Sequence, residues 1–339
     1  MSLISLLIAL AAERYLSSPL WQFTYYYQSY VAFFNRLKIV GNTDNSEDSS
    51  TFAHVVFIAL PVLACYFVLN LLGDGLLYLI ASTLVLVVCF GCVKTRQCYK
   101  QYLLAAFRGE PTTCELHHLQ LLQDKNLAGM GFGQSLVWLN YRYFIAVMFF
   151  FVLFGAPGAL AYRLLTKLNE NNNALCNDTP ETQQESNNAD EIIEAAESIE
   201  PVETTLSIDG SDDGSDERLN ADANADANTH SSANKTETVN QLSQQILFWL
   251  DWLPVRAVAF CYMLVGHFSK AMPIWLENFF ALEKCPHTIL IDVAEKSEDF
   301  MVDAEDCTAE PCLLVRLAKR TLLLCLVILS LLILTGVLN

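Results

Sequence analysis

The chain has 339 residues, 53% of them hydrophobic, and a mean hydropathy of +0.32. That lies above the soluble globular average and points to a membrane protein. The net charge of −17 is local: residues 170–240 hold 18 acids and 2 bases, and the rest of the chain holds 19 acids and 18 bases. The membrane-facing body is therefore near neutral, and no nucleic-acid partner is expected.

Eleven cysteines, an odd and scattered set, exclude a disulfide scaffold. Cys65, Cys89, Cys92, Cys261 and Cys325 lie in apolar runs, where a thiol acts as a small hydrophobe. Cys89 and Cys92 form a lone C-x-x-C, without the second pair of a zinc site. No metal and no cofactor are expected.

In chain order, residues 3–12 are apolar but too short to span. With no basic stretch before them, they read as a retained helix running through Glu13 and Arg14, not as a cleaved signal. Residues 52–72 and 76–93 are long enough to cross and are joined by Gly73-Asp74-Gly75, a tight helical hairpin. A soluble segment follows, with short helices at 97–107 and 114–123 and a Gly-rich loop at 128–134. That loop, AGMGFGQS, lacks the Gly-Lys-Ser/Thr ending that would cradle phosphates. Adjacent His117 and His118 point about 100° apart on a helix, so with Cys114 they read as surface or packing residues.

Residues 143–162 form the third span, with a kink expected at Gly155, Pro157 and Gly158. Residues 169–241 are rich in Asn, Asp, Glu and Ser and include NADANADAN. They hold too few large apolar residues to offset the entropy of ordering, so disorder is expected. They read as a solvated linker without a calcium-binding pattern. Residues 246–266 and 321–338 are the last two spans.

The expected fold is all-α: a polytopic integral membrane helical protein with a disordered acidic insert. It divides into an N-terminal membrane region (1–168), the insert (169–241) and a C-terminal membrane region (242–339). Lys and Arg set orientation. Arg36, Lys38, Lys94, Arg96, Lys100, Arg108, Arg316, Lys319 and Arg320 all fall on the cytoplasmic side of one zigzag, which puts the insert in the periplasm. Arg163 and Lys167 fall on the wrong side of that scheme.

The fourth span carries ionisable groups, each costing roughly 2.5–3.5 kcal/mol at membrane depth. Pro254 is expected to kink or restart the helix, which would leave Asp251 just before a helix N-terminus, where the dipole favours a carboxylate. An Asp251–Arg256 ion pair is expected, and spacing leaves open whether it is structural or ligand-binding. Arg256, His267 and Lys270 fall on one helical stripe; His267 and Lys270 equally fit snorkelling at the membrane surface. Asn140 and Arg142 precede the third span, with Trp138 one turn before Arg142, as in an interfacial belt. Glu13, Arg14, Asn140, Arg142, Asp251, Arg256, His267 and Lys270 together are what an anion-accepting polar pocket between helices needs.

ERYLSSPLWQFTYY with Phe33-Phe34-Asn35-Arg36, then LVWLNYRYFIA, and then the blocks at 251–256 and 266–275 resemble the AmpE family, in the family's order. The long insert departs from its relatives. The resemblance implies a multi-pass inner-membrane regulator of β-lactamase induction and cell-wall stress, leaning against an enzyme. Its expected partners are the bilayer, another membrane protein, and a cell-wall fragment or other anionic small molecule. That family in turn is similar to the CobD/CbiB cobalamin-synthesis proteins, to which Asp251, Pro254 and Arg256 with Glu13 and Arg14 fit loosely. The family's His-Pro-Val element is missing, with Trp21-Gln22 near its place. An amide-forming enzyme and a small anion transporter are the alternatives.

Overall fold

The computed structural model describes residues 2–15, 21–40, 47–73, 75–127, 129–177, 227–281, 284–298 and 308–336. All the regular elements among the described residues are helical. They are α1 (Ser2–Tyr15), α2 (Phe23–Val40), α3 (Glu47–Leu72), α4 (Leu76–Phe90), α5 (Val93–Phe107) and α6 (Pro111–Lys125). Then come α7 (Phe132–Asn140), a π-helical turn (Tyr141–Ile145) and α8 (Ala146–Asn177). The C-terminal half holds α9 (Ala227–Val265), α10 (Phe268–Phe279), α11 (Pro286–Lys296) and α12 (Ala309–Leu334).

Four stretches are long and apolar enough to cross a bilayer: Val55–Leu72, Phe132–Glu170, Leu242–Val265 and Ala309–Leu334. Helices α4 and α5 form a further candidate, bent by 41° between them. The protein is a multi-pass membrane protein. The outer faces carry the apolar groups a lipid contact needs, such as Phe67, Leu71, Phe154, Leu253 and Leu323, all exposed. At the bend, a Cβ on Gly91 would come within 2.8 Å of the Trp21 carbonyl, so the chain between α1 and α2 is seated directly on it.

The leg formed by α7, the π turn and the start of α8 is the centre of the molecule. Tyr141, Ala146, Val147 and Met148 are fully buried on it. Helices α4, α9, α11 and α12 all pack around the run from α7 to α8.

The third expected span is not one crossing. Gly155 takes φ 71°, ψ −165°, a conformation open only to glycine, and Pro157 follows without an N–H to continue the ladder. A straight helix would separate Tyr143 from Glu170 by roughly 40 Å. Instead the Tyr143 hydroxyl donates to Glu170 at 2.7 Å, and the Phe150 and Tyr162 rings stack at 4.8 Å. Helix α8 therefore reverses at Gly155 into a hairpin whose return leg lies against the outgoing one.

Other expectations shift as well. Pro254 lies inside α9 without a restart, so no N-terminus forms beside Asp251. Packing of α9 against α8, α11 and α12 holds the helix across the one missing backbone bond. The Gly-rich loop is shorter than expected, because α7 begins at Phe132 behind the Gly131 N-cap. Of the residues assigned to the disordered insert, Asn169 and Glu170 are helical and buried in the body. Helical backbone continues to Asn177 and resumes at Ala227, and residues 178–226 lie outside the described ones. Cys114, His117 and His118 have separate partners: the Tyr102 carbonyl, Gln120 and the Met130 carbonyl.

Candidate functional site

A π turn adds one residue to a helical turn and so swings neighbouring side chains onto a common face. Here it directs Tyr141, Arg142 and Tyr143 into the protein, all buried. The return leg of the hairpin brings Tyr162, Arg163, Lys167 and Glu170 against them, and α9 supplies Asp251.

Asp251 is 1% exposed, and one carboxylate oxygen accepts hydrogen bonds from Tyr141 at 2.8 Å and Tyr162 at 2.9 Å. That single oxygen ties both legs of the hairpin to α9. Arg142 lies within electrostatic reach of Asp251, and its guanidinium carbon lies over the Trp138 ring, 5.2 Å from the centre, one turn earlier. Below this node, Glu170 accepts from Tyr143 at 2.7 Å and from Lys167 at 3.0 Å. Two cations flank the Tyr143 ring: Arg163 at 4.0 Å and Lys125, at the end of α6, at 5.0 Å. The Arg163 guanidinium also lies 5.2 Å from Phe23.

The donors outnumber the acceptors. Arg142 Nε and Arg163 Nε and Nη1 are buried without a hydrogen-bond partner, as is Asn169 Oδ1. Buried polar atoms are normally satisfied by protein or water, so such a concentration is unusual. The arrangement can hold a negative group, or pass a change in charge from one helix to another.

The residues expected from sequence divide. Asp251 and Arg142 belong to the node. Asn140 stands beside it and donates to the Ala318 carbonyl at 3.4 Å. Arg256 is 1% exposed but faces away: its five-residue offset from Asp251 turns it about 140° around α9. It donates to the carbonyls of Trp252 (2.9 Å), Phe279 (2.8 Å) and Ala281 (2.6 Å) and stacks 4.3 Å from Trp252. It thus closes the end of α10, and the expected Asp251–Arg256 ion pair does not form.

His267 and Lys270 are exposed beyond the break between α9 and α10, where the helical count linking them to Arg256 no longer applies. Glu13 is buried and pairs with Arg96, away from the node. The side chain of Arg14 lies outside the described residues. Trp138, Tyr141 and Tyr143 are core residues, not an interfacial belt.

Sequence reading missed Tyr141, Tyr143, Tyr162, Arg163, Lys167, Glu170 and Lys125. The available signal was Arg163 and Lys167, basic residues that did not fit the orientation scheme. Near the node, His287 on α11 is half-buried, 5.9 Å from Trp138; burial and then the Arg142 charge hold its imidazole below the ordinary 6.5.

Fold and site together define a multi-pass α-helical membrane protein built around a buried polar node. The chain belongs to the AmpE family: the profile described as "Regulatory signalling modulator protein AmpE" matches residues 1–203 and 220–339. A relative named Protein AmpE, from Shigella flexneri, is 31% identical over 96 residues, covering 27% of this chain and 32% of the relative. The alignment thus spans about a third of that relative's length. No solved structure matches the chain.

Proposed function

We propose that this regulator sits in the bacterial inner membrane and modulates β-lactamase induction in response to cell-wall stress, signalling through the Asp251 node. One observation carries this reading: a single buried carboxylate oxygen joins two legs of a broken helix to a third span. Such a junction can be bonded or released, and a ligand or a partner that favours one arrangement shifts the balance between them. Family membership supports the regulatory role, and the apolar helices support the membrane setting. The proposed partners are the lipid bilayer, a second membrane protein and an anionic small molecule such as a cell-wall fragment. In this reading the acidic insert lies in the periplasm, as the distribution of loop bases suggests.

The test is Asp251→Asn in a host whose chromosomal β-lactamase is inducible. Asparagine keeps the shape and one acceptor but removes the charge. We expect inducibility to change several-fold while the amount of protein in the membrane fraction stays at the parental level. Unchanged induction would make the node purely structural.

A further inference from the structure

We infer that the polar core is an anion site: the ring of cations around Tyr143 and Glu170 takes a small oxyanion, entering through the groove between α5 and α6. The inference deepens the regulator reading and rests on it for its biological purpose, but not for the binding itself.

Charge balance is the first argument. Four cations lie in electrostatic reach of Glu170: Lys125, Arg163, Lys167 and Arg142. The carboxylates facing them are Glu170 and Asp251 in the core and Asp124 beside Lys125 in the groove. Both guanidiniums are more than nine-tenths buried. Buried charge without a counter-charge is costly, and an excess of one cation is balanced by one bound anion. The second argument is hydrogen bonding. Arg163 Nε and Nη1 and Arg142 Nε have no acceptor. Arg163 sits over the Tyr143 ring, 4.0 Å from its centre, and this contact restrains the guanidinium. Phosphate and carboxylate oxygens are the acceptors that match such donors.

Access is the third. Lys125 belongs to both places: it lies 5.0 Å from the Tyr143 ring and also lines a groove of about 190 Å³ with Lys94, Gln97, Gln101, Gln120 and Asp124. Two lysines and three amides against one carboxylate make this a polar mouth suited to an anion. Its volume falls below the roughly 300 Å³ at which pockets begin to hold drug-sized molecules. It therefore admits a phosphate-sized group or an anionic terminus, not a whole sugar-peptide fragment. Two sources share this chemistry, a phosphate-bearing lipid headgroup and a soluble phosphate or carboxylate. The groove flanks α5, the continuation of a membrane helix, so both can reach it.

The experiment uses the full chain, purified in a neutral detergent or in nanodiscs. One arm titrates inorganic phosphate against chloride at matched ionic strength and follows the thermal unfolding midpoint. The other compares phosphatidylglycerol with phosphatidylcholine nanodiscs. A rise in the first arm assigns a soluble anion, and a rise confined to the second assigns a lipid headgroup. Arg163→Gln and Lys125→Gln should each weaken the effect at least about ten-fold, as expected for one charge-assisted contact. Without ligand, Arg163→Gln should unfold no earlier than the parent, because it relieves an uncompensated cation. A purely structural arginine stacked on Tyr143 would instead lower the midpoint. If Arg163→Gln fails to fold, the half-buried Lys125 carries the test. No shift in either arm, or shifts that survive both substitutions, would overturn the proposal. Loss of inducibility in Asp251→Asn with intact anion binding would leave the site standing, so the two readings fail separately.

Discussion

Arg256 and Asp251 look alike in the sequence, two charges in one apolar run, and the structure gives them opposite roles. Arg256 has a carbonyl acceptor for Nε and for each terminal nitrogen, and Trp252 covers its face. A guanidinium with three of its five N–H groups on backbone carbonyls and its face covered positions backbone. Arg256→Lys keeps the charge but cannot span three separated carbonyls, so we expect a loss of about 2–4 kcal/mol from the broken contacts. Thermal unfolding in detergent measures this; a loss under about 0.5 kcal/mol, the scale of a neutral surface change, would show that the end of α10 is closed by other means.

His287 yields a pH dependence. Its folded imidazole titrates below the unfolded value of 6.5, so the unfolded chain binds the extra proton first. Stability from this residue is complete above about pH 6.5 and falls as pH drops from there through the lower folded value. His287→Gln should flatten that decline between pH 7 and 5. An unchanged slope would assign the decline to other groups. At this scale the sequence showed which residue types were unusual but not where they point. Asp251 and Arg142 were legible because charge in an apolar run is costly. Arg163, Lys167 and Glu170 were not, because their partners lie on the far side of a turn that hydropathy does not register.

The Gly155 hairpin is the element on which the site depends. Spans 52–72, 76–93, 246–266 and 321–338 could be read from apolar length, and the structure places helices there with shifted ends. The cluster Gly155, Pro157 and Gly158 signalled a break. The degree of reversal followed from one residue in a glycine-only conformation and from the pairing of the two legs. The π turn had no comparable sequence signal, since it differs from α-helix by one residue of register. Gly155→Ala should cost about 1–3 kcal/mol through backbone strain. It should also uncouple the legs, so inducibility should change in the same direction as in Asp251→Asn. If Gly155→Ala unfolds at the parental midpoint, the reversal does not need the positive φ seen at this residue.

For the whole molecule, the side on which the acidic insert lies decides which compartment can reach α8 and α9. Counting loop bases puts the ends near Lys94–Arg108 and Arg316–Arg320 in the cytoplasm. Arg163 and Lys167, which stood against that scheme, are buried and engaged inside the protein, so they do not count as loop charges. The second flank of the insert supports the periplasmic side. The Gly266 end of α9 abuts Ser297, and neighbouring Glu295 accepts from Gln134 at the start of α7. Gly133, beside it, packs against Leu314 in the first turns of the basic helix α12. The residues near Leu242 thus lie at the opposite end of α9 from the basic side. The hairpin pulls the other way, because its return leg brings Glu170 back to the level of Tyr143. One cysteine in the insert, Ser207→Cys made together with Cys176→Ala, separates the two. We expect a membrane-impermeant maleimide to label it in cells with a permeabilised outer membrane and an intact inner one, above the background of the Cys176→Ala chain. Labelling only after the inner membrane is opened would place the insert in the cytoplasm and make the return leg a full crossing.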